Sequence, residues 1–250
     1  MKKLCLAVVL FTLSACAFAQ QDYVGRFDVF GGFSYLDSPK IHLNQRGFNG
    51  QVGVNLTRWL AFGFDYSIQD GDGTLVPSDL RNDTAHPYAT EVDKLIYEGQ
   101  LGYLTPYGVP TLPANYDAYV PFSARTQTFT IGPQLVLRHF RKFTFFAHPS
   151  IGAIHEGISL KPHDAFTEFV AGPSGALVQA GILHTTKPSD TTYFYGLGGG
   201  ADYNLSKHFH LRADAEFVHV YLFSGLLADS RNSVRLSIGP AINFGGNVRR

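Results

Sequence analysis

Hydrophobic and polar side chains alternate along eight segments of the chain. In segment 26–36, for example, phenylalanine, valine and tyrosine alternate with arginine, aspartate, glycine and serine. A period of two is typical of β-strands that bury one face only. The pattern therefore predicts eight strands, in the segments 26–36, 48–57, 60–69, 125–138, 143–153, 193–204, 209–217 and 233–244.

The strand lengths and the side chains at the strand ends favour a membrane barrel. Most of the segments reach the roughly 9–11 residues that a tilted membrane strand needs. Aromatic side chains stand near the strand ends, as in the girdles at a bilayer interface. The aromatic residues in question are Tyr35, Trp59, Tyr193, Tyr203 and Phe244.

The connections between the predicted strands alternate in length. Short turns follow Thr57, Arg138 and Leu205, whereas the longer connections span 37–47, 70–124, 157–190 and 224–231. Because bilayer hydrocarbon accepts only helices and closed barrels, we expect an all-β fold. The predicted fold is an eight-stranded antiparallel up-and-down transmembrane β-barrel with long extracellular loops. A soluble lipocalin-like barrel is the alternative.

The amino terminus has the layout of a secretory signal. A basic start (1–3) precedes an apolar stretch (4–13) and the small-x-small site Ala17-Phe18-Ala19. Cleavage is therefore expected between Ala19 and Gln20, which leaves residues 20–250 as a single barrel domain. The sequence Leu13-Ser14-Ala15-Cys16 resembles a lipobox, so lipidation at Cys16 is an alternative form of processing.

Composition narrows the function classes. The chain contains 26 Gly, 21 Phe and 13 Tyr but one Met, which is typical of strands and turns and not of a helical enzyme. It has 20 basic and 20 acidic side chains, without a basic cluster in the chain body, so nucleic acid is not expected as a partner. Both cysteines, Cys5 and Cys16, lie in the signal, which excludes a disulfide framework or a thiolate metal site from the mature chain.

Three stretches resemble the small bacterial outer-membrane β-barrel proteins, which are related in architecture to the membrane domain of outer-membrane protein A. They are TFTIGPQLVLRHFRKFTFFAH (128–148), YGLGGGADYNLSKHFHLR (195–212) and NSVRLSIGPAINFGG (232–246). The resemblance implies the outer membrane of a Gram-negative-type bacterium as the location. It also implies outer-membrane lipid and the barrel assembly machinery as partners. A monomer without a cofactor is expected.

The last predicted strand is similar to the signal that the barrel assembly machinery reads in this family. The matching residues are Ser237, Gly239, Ile242 and Phe244. Six residues follow Phe244, whereas many of these proteins end at the aromatic residue. That departure affects the expected efficiency of assembly and leaves the expected fold unchanged.

Charged side chains fall on the polar, inward faces of the predicted strands. Eight strands enclose an interior that side chains can fill, and buried charges persist when they are paired. If the turn between strands 6 and 7 is centred on Lys207, Asp202 lies opposite Arg212. We therefore predict a network of paired charges in the lumen, with a water-filled, porin-like lumen as the alternative. The predicted members are Arg26, Asp28, Asp65, Asp202, Arg212, Asp214, Glu216 and Arg235.

The long connection 70–124 is ambiguous. Segment 95–104 alternates like a strand, but Val92, Leu95, Ile96 and Gly99 also have helical spacing behind a Thr90 cap. We expect a structured extracellular loop, and a ten-stranded barrel is the alternative.

Candidate catalytic and metal-binding chemistry is sparse. His208 and His210 share a strand face without a carboxylate at ligand spacing, so no metal site is expected. His148 and Ser150 resemble the His-x-Ser pair of outer-membrane lipid A deacylases, with Glu156 or Glu168 to orient the imidazole. Their parity, however, places them in the lumen. The sequence thus favours a non-enzymatic barrel with a structural or loop-mediated role and no identified loop ligand. A narrow porin and a lipid A-modifying enzyme are the alternatives.

Overall fold

The structure, a computed structural model, describes residues 23–228 and 231–248. The predicted signal, its cleavage site Ala19/Gln20 and Cys16 lie outside the described residues. Eight strands form a closed antiparallel sheet in which each strand pairs with the next and the last pairs with the first. They are β1 (Gly25–Ser38), β2 (Leu43–Asn55), β3 (Leu60–Leu75), β4 (Val120–Leu137), β5 (Phe143–Leu160), β6 (Ser189–Asn204), β7 (Phe209–Val220) and β8 (Arg231–Asn247). The eight-stranded up-and-down barrel is confirmed, and the ten-stranded alternative is wrong.

Several strands extend further than the alternating pattern predicts. Strand β2 begins at Leu43 instead of Phe48, and β3 continues to Leu75. Apart from the terminal Leu43 and Leu75, the extra residues are polar or glycine on both faces, so the hydrophobic alternation ends before the pairing does. Asn44 still pairs with Asp72 at the end of this extension. The predicted loop 37–47 shrinks accordingly to a short connection containing the 3-10 turn Pro39–Ile41.

The two faces of the barrel have opposite polarity. The outer surface carries exposed apolar side chains such as Phe48, Trp59 and Leu197, whereas Ser34, Ser67 and other polar side chains point inward and are buried. Soluble proteins bury their apolar residues, so this arrangement fits a barrel surrounded by hydrocarbon. The predicted parity of the strands is therefore confirmed, except at Arg26.

The two ends of the barrel differ in the size of their connections. The end with residues 56–59, 138–142 and 205–208 is termed the short-turn end. Two of these turns are held by a hydroxyl: Thr57 Oγ1 accepts from the backbone N–H of Leu60, and Ser206 Oγ accepts from that of Phe209 (both 3.0 Å). Local hydrogen bonds of this kind fix tight turns and hence the register of the flanking strands.

At the opposite end, residues 76–119, 161–188 and 221–228 fold together into a cap. The cap contains α1 (Tyr88–Gln100), α2 (Ala165–Ala171) and α3 (Ala176–Gln179), together with the 3-10 turns Pro77–Asp79 and Thr105–Tyr107. Its own hydrophobic core includes Leu80, Val92, Val109, Phe166 and Leu177. The predicted structured loop is confirmed.

Helix α1 differs from the prediction at its start. It begins at Tyr88, with Pro87 as the N-cap residue, and Thr90 instead donates its hydroxyl proton to Asn82 Oδ1 at 2.9 Å. The predicted Thr90 cap is therefore wrong, because Pro87 already fixes the backbone before the helix. Within the part of the chain that the structure describes, none of the helices has the length and hydropathy that crossing a bilayer requires.

Candidate functional site: the barrel lumen and the cap

The charges nearest the short-turn end gather around Arg212. Its Nη1 lies 2.8 Å from Asp28 Oδ1, and its Nε lies 2.7 Å from Asp202 Oδ1. Asp202 and Arg212 are direct partners across the β6–β7 pairing, as the turn centred on Lys207 predicts. The guanidinium also stands 5.8 Å and 5.0 Å from the ring centroids of Phe30 and Phe146. Arg212 is thus held by two carboxylates and two aromatic rings.

A second group of charges lies around Arg235, further from the short-turn end. Its Nη1 is 2.8 Å from Asp65 Oδ1, and its Nη2 is 2.5 Å from Glu216 Oε2. The same guanidinium donates to Ser67 Oγ at 2.9 Å. Nη1 also donates to Thr128 Oγ1 at 3.1 Å, so one side chain joins β8 to three other strands, β3, β4 and β7.

A third group of charges, the ion pair between Arg231 and Glu156, lies closest to the cap and was not predicted. Arg231 binds Glu156 in a bidentate manner, with Nη1–Oε1 and Nη2–Oε2 distances of 2.9 and 2.7 Å. Thr126 donates to the same carboxylate at 2.8 Å. The predicted strands ended at 153 and began at 233, so both residues fell outside them. If the alternation is continued past 153 and before 233, Glu156 and Arg231 both fall on the inward face, which is the signal in the sequence for this pair.

Arg26 does not belong to the network. Its side chain is exposed at the short-turn end, and it takes part in no ion pair with the described residues. The β1–β8 register shifts between Gly25 and Phe27, so the inward parity of β1 does not extend to position 26. The prediction is therefore wrong for Arg26, whereas the structure brings the other seven residues together in the lumen.

His148 and Ser150 both face the lumen, and each contacts a carboxylate on β7. Ser150 Oγ donates to Glu216, and His148 Nε2 lies 3.2 Å from Asp214 Oδ1. Of the two predicted orienting residues, Glu156 instead binds Arg231, and Glu168 lies in helix α2 of the cap. The geometry thus ties His148 and Ser150 into the charge network.

The histidines at the short-turn end do not share an environment. His210 is buried, with Nε2 3.2 Å from Asp28 Oδ2, whereas His208 is exposed. Across residues 23–228 and 231–248, no group of three or more His, Cys, Asp or Glu residues could hold a metal ion.

Little space remains in the lumen between the short-turn end and the cap. The cavity beside Arg212 and Arg235 measures about 50 Å³, and the next layers are filled by buried polar side chains. Beneath the cap, an apolar cluster that includes Phe122, Phe194 and Leu222 is buried at that end of the barrel. A larger cavity of about 430 Å³ opens at the short-turn end itself.

The residues that resemble an assembly signal occupy β8 in two orientations. Ser237 is buried in the lumen, whereas Ile242 and Phe244 are exposed on the outer surface. Gly239 lies where β8 approaches β1 closely, because a Cβ atom there would come within 2.4 Å of the Gly31 carbonyl oxygen. The closure of the barrel therefore requires glycine at this position.

In the cap, Asp164 caps helix α2. Burial disfavours the charged carboxyl, but the Thr167 backbone N–H donates to Oδ1 and the Tyr116 hydroxyl donates to Oδ2, both at 2.7 Å. Together with the hydroxyl of Thr167 and the charge of His163, these hydrogen bonds hold the pKa of Asp164 below its ordinary value. Ionised Asp164 therefore stabilises the cap.

This lowered pKa predicts an acid-sensitive cap. A carboxyl with a depressed folded-state pKa contributes stability above its unfolded pKa, and that contribution is lost as pH falls through the folded pKa. We expect the backbone amide of Thr167 to lose hydrogen-exchange protection, after correction for intrinsic rates, below the ordinary pKa of an aspartate. Asp164→Asn keeps an N-cap acceptor but does not titrate, so its protection should vary less with pH. Equal pH dependence in both proteins would contradict the assignment.

Comparison with known proteins places this architecture in a family. Residues 4–239 match the family model described as outer membrane protein beta-barrel domain. No curated protein matches the sequence. Among solved structures, the chain is similar to OprG from Pseudomonas aeruginosa (10% identity, 91% of this chain and 100% of that chain, TM-score 0.49). It is also similar to Neisserial surface protein A (10% identity, 88% of this chain and 99% of that chain, TM-score 0.45). A third similar structure is Ail of Yersinia pestis (11% identity, 87% of this chain and 96% of that chain, TM-score 0.41). Since the family model spans most of the chain, the protein belongs to the outer membrane protein beta-barrel domain family and resides in the outer membrane of a Gram-negative-type bacterium.

Proposed function

We propose that this protein is a non-enzymatic, non-conducting outer-membrane barrel that acts through its extracellular cap. The observation that carries the proposal is the filled lumen. The clusters around Arg212 and Arg235, the ion pair between Arg231 and Glu156, and an apolar cluster follow one another along the barrel. Outer-membrane barrels have short periplasmic turns and long extracellular loops, so the short-turn end faces the periplasm. The cap then faces the exterior.

The surface of the cap supports an interaction role. Tyr97, Tyr103 and Tyr107 are 62%, 65% and 71% exposed, and Leu101 lies near them on the chain and is also exposed. Tyrosine combines a large apolar ring with a polar tip and is enriched at protein interfaces. A cap with its own buried core presents these side chains on a folded surface, which lowers the entropic cost of binding.

The contacts of His148 and Ser150 support the absence of catalysis. A serine nucleophile needs a neighbouring base to accept its proton, and the partner of Ser150 is Glu216 while His148 contacts Asp214. Both side chains face the lumen, whereas a lipid substrate surrounds the outer surface.

The outer surface of the barrel supports two further proposed partners, outer-membrane lipid and the barrel assembly machinery. Its exposed apolar side chains fit outer-membrane lipid, and exposed Ile242 and Phe244 are available to the barrel assembly machinery before the barrel closes. We propose that the assembled barrel is a monomer, because closure removes the free strand edges that would pair with another copy.

Conductance in planar bilayers tests the proposed closed lumen. We expect no steady current from the wild-type protein, because paired charges and an apolar cluster fill its interior. A porin inserted under the same conditions serves as the positive control, and the mobility difference between boiled and unboiled protein verifies folding. A stable ohmic channel in the wild type would contradict the proposal and favour the narrow porin.

A further inference from the structure

Basic side chains mark the short-turn end of the barrel. All three short turns carry Lys or Arg, and none of them carries Asp or Glu. The basic residues are Arg58 in the first turn, Arg138, Arg141 and Lys142 in the second, and Lys207 in the third. A surface of one charge sign concentrates counter-ions of the opposite sign, which here are anions.

The cavity of about 430 Å³ at this end lies among these side chains and is termed the vestibule. Its rim includes Arg138, Arg141 and Lys142 from one turn and Lys207 from another. Asp28 and Asp202 line its inner part. Cations from two separate turns therefore converge on one opening.

The carboxylates of the vestibule offset only part of the positive charge of the rim, because Arg212 already pairs with both of them. Asp28 and Asp202 are engaged by Arg212, at 2.8 and 2.7 Å. Arg138 instead donates to the Arg58 carbonyl oxygen at 2.5 Å and to Asn55 Oδ1 at 2.7 Å, both of which are uncharged acceptors. These two hydrogen bonds fix its guanidinium at the rim.

Arg138 stays cationic in this position. Burial lowers the pKa of its guanidinium to about 10, while the charges of Asp28 and Asp202 act in the opposite direction. At neutral pH the described residues of the vestibule therefore carry an excess of positive charge. An anion that enters the cavity would meet the guanidinium of Arg138 and the exposed ammonium groups of Lys142 and Lys207.

We propose that the vestibule binds a phosphate group presented from the periplasmic side. Guanidinium and ammonium groups that converge from different chain segments suit the several oxygens of a phosphate, each of which accepts charge-assisted hydrogen bonds. The phosphate belongs to a soluble phosphoester or to the headgroup of an inner-leaflet phospholipid at the rim. The inference goes beyond the proposed function and does not depend on whether the lumen conducts.

The first arm of the test uses a soluble phosphate. Full-length protein in dodecyl maltoside, which contains no phosphate, is titrated with glycerol 3-phosphate and followed by calorimetry at constant ionic strength. We expect saturable binding that weakens by about tenfold or more in Lys142→Gln/Lys207→Gln. The single variant Lys142→Gln is compared with Arg26→Gln, the matched control, which removes one charge from the same end but from outside the vestibule. The affinity of Arg26→Gln should remain within about twofold of the wild type.

The second arm uses a lipid phosphate. Native mass spectrometry of the same detergent complexes, with added phosphatidylglycerol or uncharged diacylglycerol, measures retained lipid. Saturation by glycerol 3-phosphate supports a soluble ligand. Retention of phosphatidylglycerol alone, lost in the Lys142/Lys207 variant and kept in the control, supports a headgroup. Absence of binding in both arms, equal weakening in Lys142→Gln and Arg26→Gln, or an equal response to acetate would overturn the proposal. Unchanged heat-modified mobility of each variant shows that folding is intact.

Discussion

Replacing Arg212 with alanine is expected to destabilise the barrel by about 3–5 kcal/mol, the usual effect of removing one member of a buried ion pair. The substitution leaves Asp28 and Asp202 facing each other across the lumen without their shared cation. It also removes the contacts of the guanidinium with the Phe30 and Phe146 rings. Urea unfolding of the protein in detergent, followed by loss of the unboiled gel mobility, measures the change.

An exposed ion pair provides the control for this experiment. Arg125 and Asp70 pair at 2.6 Å on the outer surface, with side chains 63% and 57% exposed. Arg125→Ala should therefore destabilise the barrel far less than Arg212→Ala. The double variant Arg212→Ala/Asp202→Ala should be less destabilised than the sum of its single variants, because each single variant leaves an uncompensated charge. Strict additivity, or equal effects of Arg125→Ala and Arg212→Ala, would show that the lumen charges are solvated and independent.

Replacing Phe166 with alanine is expected to unfold the cap while the barrel stays intact. Phe166 is buried in the cap core in the first turn of helix α2, and removing such a ring costs about 3–5 kcal/mol. The cap has its own hydrophobic core, so most of this loss should fall on residues 76–119 and 161–188. Limited proteolysis should then cleave these segments rapidly, whereas the heat-modified mobility of the barrel remains.

Phe169 offers a matched control on the same helix. It is only partly buried and packs at the edge of the cap core, with its ring 5.8 Å from that of Tyr107. Phe169→Ala should therefore leave the cap largely resistant to protease. If Phe166→Ala instead abolished the folded mobility of the whole protein, the cap and the barrel would form one cooperative unit.

The regular part of the fold was predictable because it has a physical period. A strand with one face in hydrocarbon and one in a polar lumen must alternate, so the segments around Phe64 and Leu236 were visible in the sequence. The ends of the strands were not visible in the sequence. Strands β2 and β3 continue beyond the apolar band through polar residues such as Asn44, Asp70 and Asp72. Backbone pairing persists there without any contrast between the faces.

The lumen contacts were predictable only where a short turn sets the register. Asp202 and Arg212 flank such a turn, so their pairing followed from counting residues back from Lys207. Arg231 and Glu156 lie on β8 and β5, which are not neighbours in the sheet, and they meet across the lumen. The cap core, built around Val92 and Phe166, is formed by segments without a common period, and no alternation predicts its packing.

The pairing of β1 with β8 has a consequence for biogenesis. The Tyr23 hydroxyl donates to the Gly245 carbonyl oxygen at 2.7 Å, across a separation of 222 positions in the chain. Contacts between such distant residues carry a large loop-closure entropy and slow folding. Until the carboxy-terminal strand has been synthesised and exported, the amino-terminal strand lacks its neighbour and exposes an edge that can aggregate. The nascent chain therefore needs protection during its whole transit of the periplasm, and its last strand sets the moment at which that protection can end.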